Sequence, residues 1–553
     1  MIENTPVLIV GAGPVGLCLA LDLASRGIDV LLCEQRAAGE PPSVKCNHVS
    51  SRTMEILRRL GISSKVRASG LPADYPNDIV FRTRANGFEY SRIRIPSRND
   101  RYSATDGPDC GWPTPEPPHR VNQIYLEPIL FESATASPRI RILSSTCVSG
   151  FVQDDQKVVV NARDLASGSE YQISARFLIG CDGGRSMVRH GIGATLNGDA
   201  EIQRVQSSFI RAPDLINRVT KPHAWMSYLY HPLRAGNLVA IDGKELWLFH
   251  NYLFPHEKDF RSVDRDACIR LLLGVDASFH YELLSKEDWI GRRLVADRFR
   301  DGRVLICGDA AHLWVPYAGY GMNAGIADAM NLSWLLAAHL QGWAPAAILD
   351  AYALERWPIT EQVSRFAMKH AESAIAERSR IPPEVEEDTQ AGAAARARIG
   401  EAAYSLNVEQ FACAGLNYGY YYDHSPIIAY DEQTAPPYTM HRYTPSTTPG
   451  CRVPHFWLSD GRSLYDAMGA DYVLLRFDAS LRVDSLLSAA ADAHVPMTLL
   501  DIALAEIPAP YAHPLVLSRP DRHVAWRGNS LPRDVPELIR LISGRGEATY
   551  QMA

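Results

Sequence analysis

The sequence predicts an α/β fold built on a parallel, doubly wound sheet, and three stretches predict it. An apolar strand, a glycine-rich turn, a helix and a second strand fill residues 7–34. A second strand-to-turn-to-helix unit occupies residues 177–186, and a third occupies residues 304–340. Apolar runs that end in glycine-bearing loops are what buried parallel strands look like when their carboxyl ends carry a binding site.

The first stretch is the most complete. Val7-Leu-Ile-Val10 runs into Gly11-Ala-Gly13-Pro-Val-Gly16, then a helical stretch, then a strand over residues 28–33 that ends at Glu34. Gly11 permits the tight turn, Gly13 lets the backbone approach a pyrophosphate, and Gly16 lets the helix pack closely on the strand. Glu34 stands where a carboxylate takes a ribose 2′-hydroxyl. An acid here disfavours a 2′-phosphate, so this Rossmann-like unit is expected to hold FAD or NAD rather than NADP. Residues 4–21 carry no charge. Yet Glu3 precedes them, no Lys or Arg flanks them, and glycines and Pro14 interrupt the run, so neither a signal sequence nor a membrane span is expected.

In the third stretch, Gly308-Asp309 follows a short apolar strand, and a loop rich in Pro and Gly leads to Gly321-Met322-Asn323 and a helix. Asp309 can accept from a ribose hydroxyl. The backbone N–H groups of Gly321, Met322 and Asn323 can donate to an anionic ring edge. The middle stretch places Asp182-Gly183 at the turn that opens a helix.

Composition narrows the class. The 553 residues should form two to four domains. A net charge of −7 without a basic block argues against nucleic acid as a partner. The ten cysteines show neither C-x-x-C nor metal-ligand spacing. Cys18, Cys33, Cys181 and Cys307 fall in expected core elements, which fits a reducing cytoplasm without disulfides and without a metal site.

Together the three motifs, in this order and spacing, resemble the class A flavoprotein monooxygenases of the aromatic hydroxylase type, similar to p-hydroxybenzoate and phenol hydroxylases. Ser51-Arg52-Thr-Met-Glu-Ile-Leu57 and Arg120-Val-Asn-Gln123-Ile-Tyr-Leu126-Glu127 add to the resemblance, which covers roughly 380 residues. It implies one extended FAD with its adenosine at Glu34 and its ribityl–pyrophosphate region at Asp309. Arg52 and Gln123 should touch the cofactor, and Asp182 and Gly183 should serve both FAD and the nicotinamide nucleotide. NAD(P)H is the implied cosubstrate. The family has no separate domain for it, so Glu34 leaves the choice between NADH and NADPH open. The implied reaction hydroxylates a phenolic aromatic substrate with O₂ through a C4a-hydroperoxyflavin, which needs a dry pocket.

The resemblance also places the pocket. Trp314, Val315, Pro316 and Tyr317 should form one wall, with the Pro316 carbonyl facing the reactive position of the substrate. Cys46, Asn47 and His48 should pass over the isoalloxazine, whose pyrimidine edge meets Met322 and Asn323. A substrate-binding sheet is expected from residues 76–104 and 196–289. Strand-like alternation at residues 224–231 and 245–252 offers Trp225, Tyr228, His231, Trp247, His250 and Tyr252 as lining residues. A base must take the phenolic proton; His48 is the first candidate, with Tyr228, His231 and His250 behind it. Arg234 could meet an anionic substrate, but the lack of an Arg cluster favours a neutral phenol.

The remaining boundaries follow. Residues 1–75, 105–195 and 290–380 should form the FAD-binding domain. Residues 381–450 should be a helical segment and linker, with 415–450 extended across a surface. Residues 451–553 resemble the thioredoxin-like tail of the phenol hydroxylase branch; without C-x-x-C they are expected to serve packing or a homodimer contact. Two rival readings are an epoxidising or Baeyer–Villiger enzyme acting on a polyketide-like substrate, and a flavoprotein that transfers electrons without oxygenating.

Overall fold

The apolar runs become the middle of an eight-stranded sheet. The computed structural model describes residues 3–315, 319–503 and 507–546. In it β1 (Glu3–Val10) lies between β2 (Val30–Cys33) and β8 (Glu170–Gly180), and β15 (Val304–Ile306) pairs with the far side of β8. These pairings are all parallel, and β5 (Ile140–Leu143) continues the sheet beyond β2 in the same sense. A hairpin of β6 (Thr146–Gln153) and β7 (Val158–Asp164) joins β8, and β14 (Arg300–Asp301) edges β15. Val7, Leu8, Ile9, Leu178, Ile179 and Leu305 are fully buried, as strands covered on both faces must be.

Register decides where the motifs meet. Val10 pairs with Cys33 and with Gly180, and Gly180 pairs with Ile306. Gly11, Cys181 and Cys307 therefore leave three adjacent strands at one level, although they are far apart in sequence. That edge of an open parallel sheet, where connections depart to either side of β1, is where such folds bind ligands.

A second eight-stranded sheet, largely antiparallel, is inserted. Its order is β16 (His312–Leu313), β13 (Glu282–Ala296), β9 (Leu196–Arg211), β12 (Leu246–Tyr252), β11 (Arg234–Ala240), β10 (Met226–His231), β3 (Ile79–Arg82) and β4 (Glu89–Ile93). Directly opposed residues share a face. Ser207, His250, Asn237, Tyr228 and Phe81 therefore form one row across five strands. Ser208, Phe249, Leu238 and Ser227 lie on the other face, which packs on the Arg265–Leu273 helix; Gly236 abuts Leu272 there.

The carboxy-terminal sheet has the order β18 (Met497–Asp501), β17 (Tyr472–Arg476), β19 (Leu515–Ser518) and β20 (Val524–Gly528). Only β17 and β18 are parallel, with the Asp484–Asp492 helix between them in the chain. This unit docks on the first sheet's helices: Tyr472 meets Trp334 edge-on at 6.1 Å, and Arg519 grips Glu355 at 2.5 and 2.8 Å.

Residues 415–428 correct the expectation of an extended surface segment over 415–450, whereas residues 430–446 do run exposed or half-buried without helix or strand. Tyr418, Tyr420 and Tyr422 are at most 2 % exposed and belong to the buried contact between the units. The Tyr422 hydroxyl accepts from Asn331 at 3.2 Å, and Tyr418 bonds Ser51. A Tyr- and Pro-rich composition suits an exposed strip and a sandwiched one equally; the large ring area, with polar tips satisfied, favours the latter.

All ten cysteines are free thiols. Among the described residues no His, Cys, Asp and Glu group is arranged to hold a metal ion, and no helix is long and apolar enough to cross a membrane.

Candidate active site

The glycine turn is built for close backbone approach. Gly11 has φ +103°, and a Cβ there would overlap the Cys181 carbonyl. A Cβ on Gly16 would strike the carbonyl of Gly11, whereas nothing lies within 4 Å of one on Gly13. The open side of the turn thus lies at the start of the Pro14–Ser25 helix, whose N-cap, Gly13, offers no side-chain acceptor. Unclaimed N–H groups and the positive end of the helix make that spot fit a pyrophosphate.

Glu34, at the end of β2, accepts from the Ala12 N–H at 2.7 Å and from the Arg36 N–H at 2.9 Å. Arg36 continues to Glu127 at 2.6 Å, and Glu127 accepts from Gln123 at 2.9 Å. Glu34 and Gln123 therefore belong to one network beside the glycine turn. Gln123 is the first residue of the Gln123–Thr135 helix, and its neighbour Asn122 is the cap. Asp182 accepts from Ser186 Oγ at 2.5 Å and from the Val188 N–H at 3.1 Å, which shapes the loop wedged against Gly11. Gly183 supplies the positive φ of +76° that this loop requires. Asp309 is open to the groove, yet the protein around it raises its pKa above the usual carboxylate value.

One supporting cluster has no local signature in the sequence. Asp328 accepts from Arg356 Nε at 2.8 Å and from the Gly308 N–H at 3.3 Å, and pairs with His312 Nε2 at 2.6 Å. All three side chains are buried, at 0, 1 and 2 % exposure for Asp328, His312 and Arg356. Burial works to raise the Asp328 pKa, but Arg356 and His312 more than offset it and hold the carboxyl below its usual range. The cluster clamps both sides of Asp309. A lone acid in the otherwise uncharged stretch 324–338 was the available clue.

The Tyr320–Leu340 helix starts at Gly319, in the left-handed region at φ +61°. Its first-turn N–H groups, including those of Gly321 and Met322, have no partner within the helix. A Cβ on Gly321 would meet nothing within 4 Å, so an anionic ring edge can approach. Asn323 does more than donate its N–H. Its Oδ1 accepts from the Ser50 N–H at 2.8 Å, and its Nδ2 donates to the carbonyls of Gly319 at 2.7 Å and His48 at 3.1 Å. The same strip is tied at Cys46, whose carbonyl accepts from the Gln123 N–H at 2.8 Å, and at Asn47, which accepts from Asn122 at 2.5 Å. His48 packs against Gly319. The structure thus brings His48, Gln123, Gly321, Met322 and Asn323 together.

Arg52, expected to touch the cofactor, has its guanidinium 4.4 Å over the Tyr420 ring, on the helix face that meets the carboxy-terminal segment. Pro316 and Tyr317 lie outside the described residues. Trp314 stacks on His312 at 4.7 Å, and Val315 is buried against Gly291 of β13. Gly291 shares its face with Trp289, so Val315 joins the Asp309 loop to the face of the second sheet that carries Ser207, His250, Asn237 and Tyr228.

On that face Trp289 Nε1 donates to Ser207 Oγ at 2.7 Å, and Ser207 Oγ lies 2.6 Å from His250 Nδ1. The Ser207 hydroxyl accepts from the indole on one lone pair and is assigned as donor to Nδ1, the tautomer in which Nε2 carries the proton of a neutral ring. Burial lowers the His250 pKa to about 4. In that tautomer the neutral ring is suited to donate a hydrogen bond from Nε2. Tyr228 stacks on Phe81 at 5.1 Å in the same row. Tyr252 also belongs to this face, under the Arg378 guanidinium at 4.2 Å.

Four expected lining or anion-binding residues belong elsewhere. His231 and Trp247 fall on the opposite face, because neighbouring strand residues alternate. His231 meets Arg84 at 2.9 Å, and Trp247 donates to the Ala212 carbonyl at 3.3 Å. Trp225 lies just before β10, packed under Arg120 at 5.0 Å and edge-on to Phe411. Arg234 is engaged by Glu257 through two bonds of 2.7 and 2.8 Å.

Two family models match the chain: an FAD binding domain over residues 4–367, and the carboxy-terminal domain of aromatic-ring hydroxylases over residues 446–545. The chain belongs to the FAD-dependent aromatic-ring hydroxylases. Phenol 2-monooxygenase from Pseudomonas sp. (strain EST1001) is 30 % identical, covering 98 % of this chain and 93 % of that protein. Tetracenomycin A2 monooxygenase-dioxygenase from Streptomyces glaucescens is also 30 % identical, over 97 % of this chain and 96 % of its own length. Among solved structures, the rebeccamycin biosynthetic enzyme RebC with reduced flavin superposes with a TM-score of 0.89 at 32 % identity, covering 99 % of this chain and 100 % of that one.

For this hydroxylase the donor set fits FAD, and Glu34 gives a direct check. Glu34→Ala removes a charged acceptor from the groove, so FAD affinity should fall by roughly tenfold or more. Titration of the apoprotein with FAD measures it; an unchanged affinity removes Glu34 from the ribose site.

Proposed function

We propose that this hydroxylase inserts one oxygen atom of O₂ into a phenolic aromatic substrate at the expense of NAD(P)H. Bound FAD supplies the redox and oxygen-activating chemistry. The observation that carries the reading is a polar row on a largely apolar sheet face, joined through Val315 to the Asp309 loop. Glu34 and the start of the Pro14–Ser25 helix hold the adenosine and pyrophosphate. The first-turn N–H groups of the Tyr320–Leu340 helix stabilise negative charge at the pyrimidine edge of the ring system. His48, packed on the turn at Gly319, takes the phenolic proton. His250 donates from Nε2 to a substrate oxygen, and Ser207 and Trp289 hold its ring in place. The aromatic and aliphatic neighbours keep water away from the reacting face.

The row's width bears on substrate size. From Ser207 to Tyr228 it crosses three strand spacings, about 14 Å. A fused, several-ring phenol uses that length, and a single ring does not. Relatives named for phenol and for tetracenomycin fit the two ends of this range. The carboxy-terminal unit is assigned a thioredoxin-like layout, supported by the strand order β18-β17-β19-β20 and by its single parallel pair. Without C-x-x-C it serves packing.

The test is a panel of one-ring and fused-ring phenols, scored by stimulated NAD(P)H oxidation and by product labelled from isotopic O₂. Label in the product of a fused-ring phenol is the expected result; NAD(P)H consumption without label in any product refutes hydroxylation. In the same assay, His250→Phe should keep its FAD and lower kcat/KM by roughly tenfold to a hundredfold, with more NAD(P)H spent per product. Unchanged coupling in that variant removes His250 from substrate positioning.

A further inference from the structure

Between the Ser51–Arg59 helix, the Tyr320–Leu340 helix and the docked carboxy-terminal unit lies a cavity that the hydroxylation site does not use. Arg26, Arg52, Arg59, Arg452 and Arg522 line it, with Glu55 and Asp521. It leaves about 40 Å³ for the centres of water-sized atoms. A single water needs roughly 10–15 Å³ by the same measure, so there is room for one tetrahedral oxyanion but not for a nucleoside.

The charges around it do not balance. Asp22 is shared by Arg26 at 3.0 Å and Arg59 at 2.6 Å, and Glu55 is taken by Arg452. Asp521 and Glu355 are both taken by Arg519. Six guanidiniums thus face four carboxylates. Among the described residues Arg52 and Arg522 have no carboxylate; each instead rests on a ring, Arg52 on Tyr420 and Arg522 on Tyr465, both at 4.4 Å. Arg452 is only 2 % exposed, and its Nη1 has no hydrogen-bond partner; the Nη1 of Arg52 is likewise cut off from solvent and unpartnered. Burial and the nearby cations Arg59 and Arg452 lower the Arg522 pKa to about 10, the direction expected where positive charge is in excess. Buried guanidinium donors with no acceptor are costly, and a dianion of matching geometry removes that cost.

We propose that this interdomain cavity binds one phosphate-class oxyanion, held by Arg52, Arg452 and Arg522, which pins the carboxy-terminal unit to the FAD-binding domain. The oxyanion is either free phosphate or the phosphate group of a nucleotide reaching in through the cavity mouth.

The test uses the FAD-saturated full-length protein, so that the cofactor's own phosphate site is filled. Inorganic phosphate is titrated calorimetrically in chloride at constant ionic strength. One saturable phosphate per chain is expected, with a raised unfolding midpoint relative to chloride. Arg522→Gln, which leaves the catalytic groove untouched, should weaken binding at least about tenfold. Arg522→Lys should bind with intermediate affinity. Competition by 2′,5′-ADP identifies a nucleotide-borne phosphate as the source, and failure to compete identifies free phosphate; either supports the site. Absence of saturable phosphate binding to the wild-type protein overturns the proposal, even if Arg522→Gln does not fold. Equal affinity in wild type and Arg522→Gln overturns it too.

Discussion

Asp328→Ala is expected to release the flavin and to cost roughly 3–5 kcal/mol of folding stability, because it strands the buried Arg356 guanidinium and takes away the hydrogen-bond partner of the buried His312 ring. Arg356 and His312 lose the carboxylate that they share, and the Gly308 N–H loses an acceptor. The loss is structural first and chemical second, since Asp309 sits on the loop that this cluster clamps. Denaturant unfolding of the variant, followed with its flavin content, checks both effects. Asp328→Asn offers a graded comparison. It removes the charge but keeps an acceptor for Arg356 or Gly308, so it should fall between the two. A stable, fully flavinylated Asp328→Ala protein would show that the loop holds its shape without the cluster.

The second large effect separates two glycines of the same turn. Gly11→Ala places a side chain at φ +103° and against the Cys181 carbonyl, so the turn and the neighbouring loop have to move apart. Strain of this kind costs about 1–3 kcal/mol, and both stability and FAD affinity should suffer, the latter by roughly tenfold to a hundredfold. Gly13 has φ −74° and open space around it. Gly13→Ala should therefore fold with unchanged stability yet still bind FAD poorly, because its methyl occupies the path of the pyrophosphate. Thermal unfolding of the two apoproteins, compared with their FAD titrations, reads the difference. Equal behaviour of the two variants would contradict the assigned path of the cofactor.

These contrasts also show what a linear sequence carries. The glycine turn, the Asp182–Gly183 loop and the Asp309 loop were legible because each is a local pattern of strand, turn and helix. That they meet follows from parallel pairing of β1, β8 and β15 at one level, which the strand ends already imply. The second sheet was legible as alternation, but alternation offers two faces and does not say which is inward. Hence His250 and Tyr228 share one face with Ser207, while His231 and Trp247, of the other parity, lie on the opposite one. Arg234 looked available because Glu257 is a loop away. The Asp328 cluster joins side chains of three separate elements, and its only local trace is the one acid of a helix with no other acid and no Lys or Arg. The buried tyrosines of residues 415–450 depend on a neighbour that composition cannot supply.

The central claim is that the loops after β1, β8 and β15, with the start of the Tyr320–Leu340 helix, hold a single FAD beside the polar row. The visible absorption spectrum of the purified protein, with the released cofactor identified by mass, tests it most directly. One FAD per chain, bound as purified or taken up on reconstitution, is the predicted result. A colourless, folded protein that takes up no flavin would contradict it.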